Sequence, residues 1–337
     1  MLKKALLPLL SALAILAYGI VVEQVWSWLV LFDRWQSVGW SILGFSVVLM
    51  LLSHLIRGFR FYHFFLQDMP DRGLGTFLRL FSVSQTHNFL NSLLPFRSGE
   101  VSFPVLMKTE FALPMSRTAA GLLWMRMLDL HALGVFALVV VLYRFFGTSI
   151  MLWPLIVLAL LIPWLVFELG QPIRRFLERA QQEAYSGLAG KLIHFAWKCT
   201  QGMPNSRGLF FSTWCLTVLN WVVKFFAMAL VLVLLMGPPY EVFNFVLALA
   251  GSVGGELSAI LPIHAPAGVG TYPAGIFLGM QWLSPELGNA ELNHRLAQLG
   301  VSLHVMIMLS TVLGVVLAQL LTVFYSFGYQ TPNSKNH

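Results

Sequence analysis

The sequence predicts an all-α integral membrane protein with about six full spans and two oppositely oriented re-entrant helical hairpins, arranged as an inverted repeat. Three observations carry this prediction. The 337 residues are 58% hydrophobic and only 10% charged, against about 25% charged in a soluble domain, and the mean hydropathy is +0.76. Runs such as 35–56, 145–167 and 296–334 hold no Asp, Glu, Lys or Arg, and a span needs roughly 20 apolar residues. Two further apolar stretches are each interrupted by Pro and Gly in matching places.

The spans are expected at 5–24, 38–57, 118–145, 151–168, 209–236 and 296–323. The N-terminus resembles a signal sequence but has no convincing small-x-small cleavage site, so it is read as an uncleaved anchor. Lys3 and Lys4 place it in the cytoplasm by the positive-inside rule. The loop 25–37 then lies outside. Arg57, Arg60 and Arg72 follow the second span as a cytoplasmic loop, and the Arg- and Lys-rich insert 170–208 lies inside as an amphipathic surface segment. The spans on either side of 146–150 form a hairpin, so 108–117 is also inside. Residues 73–107 must therefore enter and leave on the same face. A hairpin broken at Leu94-Pro95-Phe96-Arg97-Ser98-Gly99 satisfies that demand. The same reasoning makes 241–283 a second hairpin, entered from outside and broken between Leu261 and Gly270. The Leu94-Pro95-x-Arg97 pattern recurs as Leu261-Pro262-x-His264, which defines repeat 1 at about 38–145 and repeat 2 at about 209–323. The whole chain, 1–337, is read as one polytopic domain.

Composition also excludes classes of function. The longest polar insert is too short to bury a core of its own, so no independent soluble enzyme domain is expected. The net charge of +7 marks cytoplasmic loops rather than a nucleic-acid surface. Cys199 and Cys215 form no disulfide or metal pattern. No cofactor, metal or catalytic residue is predicted.

The chemistry concentrates at the breaks. Proline ends a hydrogen-bond ladder, and free backbone groups at membrane depth survive only around protein or a wet cavity. Helices beginning near Ser98-Gly99-Glu100 and near Gly268-Val269-Gly270 would present N–H groups that attract anions. Arg97 adds a forked cation suited to phosphate. Two such ends around one cavity make a site for a phosphorylated head group. Further polar residues stand within apolar stretches: His87, Asn88 and Asn91, Arg126 and Asp129 one turn apart, Lys224, Glu256, His264 and His304. Arg126–Asp129 reads more readily as a structural pair than as a direct ligand; Lys224 reads also as a partner of Glu256, and His304 equally as a packing histidine.

Asn91…Leu94-Pro95-x-Arg97-x-Gly99-Glu100, Arg126-x-x-Asp129 and Leu261-Pro262…Pro266-x-Gly268-x-Gly270 together resemble the flippase-like family that includes the transmembrane domain of lysylphosphatidylglycerol synthetases. The likeness spans roughly 40–320. It implies movement of a lipid or lipid-linked phosphate between leaflets, with Asn91, Pro95, Arg97, Gly99, Glu100, Arg126, Asp129, Pro262, Gly268 and Gly270 as the residues that match. Where the family often has a second glycine after the proline, this chain has Ala267. No segment resembles the synthetases' soluble domain, so synthase activity is not expected.

The sequence reading is therefore a lipid transporter of the bacterial inner membrane, with both termini cytoplasmic. It moves an anionic phospholipid or a polyprenyl-phosphate-linked species. Its substrate-binding residues are Asn91, Arg97, Gly99, Glu100, Arg126, Asp129, Lys224, Glu256, His264, Gly268 and Gly270. Its partners are membrane lipids, with a homodimer allowed and no nucleic acid. The alternatives are a secondary transporter of a small anionic solute, an intramembrane lipid-phosphate enzyme and a partner subunit without transport of its own.

Overall fold

The computed structural model describes residues 13, 16–24, 27–150, 153–182, 187–236, 243–261, 266–285 and 290–330. Every regular element among them is helical. In chain order these are α1 (Leu16–Gln24), α2 (Trp28–Val38), α3 (Trp40–Phe65), α4 (Leu74–Leu93), α5 (Ser102–Phe111), α6 (Met115–Phe146), α7 (Trp153–Gln182), α8 (Gly187–Thr200), α9 (Arg207–Met236), α10 (Phe243–Ser258), α11 (Thr271–Leu283) and α12 (Ala290–Gln330). Five of the helices are long and apolar enough to cross a membrane, or up to six if the bent pair α1 and α2 is one span. This is a multi-pass, all-α membrane protein.

The expected spans fall on α3, α6, α7, α9 and α12, and three boundaries move. The expected loop 25–37 contains a helix, α2, which lies at 86° to α1 and stops at Gly39, where φ is +93°. Buried Leu31 and Trp35 hold it to the bundle, with Trp35 Nε1 donating to Ser302 Oγ at 2.5 Å. Helix α7 runs on through Pro172 into the insert expected at 170–208, so that insert is not separate from its span. The largest change is in α3, which continues to Phe65 and carries Arg57 and Arg60 inside the helix rather than in a cytoplasmic loop. Its side chains find partners in the bundle, so the charges do not end the helix.

Both expected breaks are present. Leu94 is extended (ψ 137°), as the residue before a proline must be. A 3-10 stretch, Pro95–Val101, then leads into α5. Helix α5 thus begins at Ser102 rather than at the expected 98–100. Gly99 is required here by contact: a Cβ would collide with the backbone of Asn91 and lie 2.6 Å from the Leu90 carbonyl oxygen. In the second break, Ala267, Gly268 and Gly270 all have positive φ, at 54°, 69° and 76°. Ala267 thus occupies a conformation that favours glycine, which matches its departure from the family pattern.

Helices α10 and α11 pack closely because small residues face each other. A Cβ on Gly275 would lie 2.5 Å from the Gly254 carbonyl oxygen and 2.6 Å from Ser258 Oγ, and one on Gly279 would collide with the Ala250 carbonyl. Gly275-x-x-x-Gly279 is thus a close-approach face of the kind that joins helices in lipid. Other helix pairings link the two halves. Helix α3 packs on α9, α4 on α12 and α10 on α6, and α3 meets α12 as α6 meets α9. The two breaks also touch each other.

Gly275→Leu is expected to destabilise the protein by about 1–3 kcal/mol through overpacking. Gly134→Ala, in α6 with nothing within 4 Å of the added Cβ, is expected to be neutral or stabilising by up to about 1 kcal/mol. Thermal melts in one detergent compare the two.

Candidate functional site

The second break and the helices around it surround a cavity of about 330 Å³. Helices α3, α4, α6, α9, α10, α11 and α12 and the second break contribute its walls. Arg57, Arg126, Asp129, Lys224 and Glu256 all line it, with Asn88, Asn91, Tyr272 and His304.

Asp129 organises the interior. Arg60 donates to it twice, Nη1 to Oδ1 at 2.7 Å and Nη2 to Oδ2 at 2.9 Å, and Arg60 is itself fully buried. Trp221 Nε1 donates to the same Oδ1 at 3.1 Å, and Arg60 Nη1 also donates to Thr217 Oγ1 at 2.8 Å. This knot ties α3, α6 and α9 together. The sequence pairs Asp129 with Arg126, but that contact is the longer one, at 3.7 Å. Arg126 instead reaches across to Glu100, with Nε 3.1 Å from Oε1. It also meets His87 Nε2 at 3.0 Å, and His87 Nδ1 meets Ser102 Oγ at 3.0 Å. Arg126 thereby anchors the first break to α6.

A second group gathers on α9, α10 and α11. Lys224 Nζ lies 2.7 Å from Glu256 Oε2, as the sequence allows, and the Tyr272 hydroxyl donates to Glu256 Oε1 at 2.5 Å. The Tyr272 ring stacks on His304 at 4.8 Å between centroids. His304 Nδ1 lies 2.9 Å from the Tyr18 hydroxyl. His304 is thus a buried packing residue with a polar contact as well.

Of the residues expected at the site, Asn91, Arg126, Asp129, Lys224 and Glu256 line the cavity. Glu100 sits behind Arg126. Gly99 packs under the first break, while Gly268 and Gly270 shape the second. The side chain of Arg97, and His264 with Pro262, lie outside the described residues. Sequence reasoning missed Arg57 and Arg60 because they stand at the end of an apolar run. A signal was available: Ser53, His54, Arg57 and Arg60 recur at helical spacing on one face.

The cavity is not closed on all sides. Leu123, Met127 and Leu130 of α6 line it and are 49%, 50% and 54% exposed. A charged interior therefore meets an apolar opening along one helix face. Among the described residues no group of His, Cys, Asp and Glu has the arrangement to hold a metal.

The class defined by this fold and cavity is a polytopic helical membrane protein with a charged central site. Comparison with protein families then places it more closely. Residues 5–303 match the lysylphosphatidylglycerol synthase TM region, and the chain belongs to that family. Neither the curated proteins nor the solved structures compared with it give a match.

Removing one partner of a buried ion pair typically costs about 3–5 kcal/mol. Asp129→Ala is expected to destabilise by that amount, because it leaves Arg60 without its carboxylate. Arg60→Met combined with Asp129→Leu is expected to recover most of the loss. Thermal unfolding of the single and double variants measures both.

Proposed function

We propose that this protein is a lipid transporter of the bacterial inner membrane, with both termini in the cytoplasm, that moves an anionic phospholipid or a polyprenyl-phosphate-linked lipid between leaflets. The observation that carries this reading is the union of a charged interior with the apolar opening at Leu123, Met127 and Leu130. A lipid needs both at once: a polar pocket for its head group and an apolar side exit for its acyl chains. A carrier of aqueous solutes needs polar paths to the two faces instead.

The helix pairings between the halves support an inverted repeat, in which each broken hairpin packs on the last span of the other half. Rocking of one half against the other around the touching breaks would expose the cavity to each leaflet in turn. Arg97 and the backbone N–H groups near Gly99 and Gly268 would hold phosphate. Glu100, Asp129 and Glu256 would balance charge or carry protons, and no catalytic role is assigned to them. The drive would be an ion gradient or downhill lipid flux.

Proteoliposomes carrying fluorescent phosphatidylglycerol, bleached from outside by dithionite, test the proposal. The purified protein is expected to accelerate loss of the inner-leaflet signal. Arg97→Ala is expected to slow it at least tenfold, and Leu130→Trp, which narrows the opening, to slow it severalfold. A wild-type rate no faster than empty liposomes would refute lipid movement.

A further inference from the structure

The charges around the cavity do not balance, and the imbalance has one address. Among the described side chains, Arg60 is paired with Asp129, Arg126 with Glu100 and Lys224 with Glu256. Arg57 lines the same cavity and has no carboxylate within ion-pair distance among the described residues. Its recorded polar contact is Nη1 to Asn88 Oδ1 at 3.3 Å. Asn88 is itself 6% exposed, and its amide nitrogen has no hydrogen-bond partner.

The two halves of the chain explain how this cation came to be left over. Ser53 and Asn220 are 167 residues apart and hydrogen-bond to each other at 2.9 Å, where α3 crosses α9. Leu94-Pro95 and Leu261-Pro262 have that same separation, and so do Arg57 and Lys224. The two cations therefore stand at equivalent places on α3 and α9, one turn beyond the contact, and both face the cavity. In the second half Glu256 neutralises Lys224. The equivalent position in the first half is Phe89, which carries no charge. The place of Tyr272, which also holds Glu256, is likewise taken by Val105.

We infer that Arg57 is a second anion-binding residue, besides the proposed Arg97, with the Asn88 amide beside it, and that its ligand is a singly charged phosphodiester. A guanidinium fork matches the two non-bridging oxygens of such a group. One bound negative charge completes the balance of the described side chains. An unpaired cation inside an apolar bundle is unfavourable, so the ligand supplies what Glu256 supplies on the other side. This inference deepens the transport reading and rests on the same cavity.

Calorimetric titration of the full-length protein in detergent tests it with dihexanoyl phosphatidylglycerol, dihexanoyl phosphatidic acid, dihexanoyl phosphatidylcholine and dimethyl phosphate. The wild type is expected to bind phosphatidylglycerol most tightly. Arg57→Gln is expected to weaken that binding at least tenfold, and Arg57→Lys to restore part of it. Phe89→Glu, which supplies the missing carboxylate, is expected to weaken it to a similar degree. Ligand-free Arg57→Gln is expected to melt no lower than the wild type, since it removes an uncompensated charge. Unchanged affinity in Arg57→Gln, or a melting point well below wild type, overturns the inference, and so does tighter binding of phosphatidic acid. Arg57-dependent binding of dimethyl phosphate without that of phosphatidylglycerol assigns the site to a free phosphodiester. Arg57-dependent binding without lipid movement in proteoliposomes removes the transport reading and leaves this site standing.

Discussion

A charge inside a membrane-spanning bundle costs about 2.5–3.5 kcal/mol on insertion scales, and the interior of this protein is arranged around meeting that cost. Asp129 is the centre of the arrangement. Its carboxylate takes both arms of the Arg60 guanidinium and the Trp221 indole, so three helices meet at one acid. With Arg60 bound there, Arg126 is free to reach Glu100 and steady the first break. Lys224 and Glu256 do the same for the second half. The cavity is what remains between these pairs.

The broken helices follow from a related constraint, because an interrupted backbone at membrane depth must be surrounded by protein or water. Here each break is packed against the other, and the approach is made possible by missing side chains. Gly99 lets the first break lie on the backbone of α4, and Gly275 and Gly279 let α11 lie on α10. Ala267 takes up a left-handed turn without being glycine. Close packing at the breaks goes with a slot left open on α6: the core is tight where the backbone is interrupted and loose along that helix.

The legible part of the site was the part tied to local sequence. Proline and glycine mark where a helix stops, so the breaks at 94–99 and 261–270 could be read directly. Lys224 and Glu256 stand out because each is isolated in an apolar run, and isolated charges seek each other. Arg57 and Arg60 were illegible for the opposite reason. They sit where a span was due to end, and arginines after a span ordinarily mark a loop. Their helical spacing with Ser53 and His54 was the local sign, and it does not name a partner on another helix. The Arg126–Asp129 pair is present at 3.7 Å, but helical spacing permits a contact without ranking it against a better partner from outside the helix.

The sequence alone determined that this chain lives in a membrane, that it is helical, that two of its helical units are interrupted and which family it resembles. Those properties depend on composition and on neighbours along the chain. Only the tertiary structure decided which charges pair, where the cavity opens and which cation, among the described side chains, is left without a carboxylate. These depend on contacts between helices far apart in sequence, where the low-dielectric interior makes a difference of a few ångströms decide between a pair and an empty site.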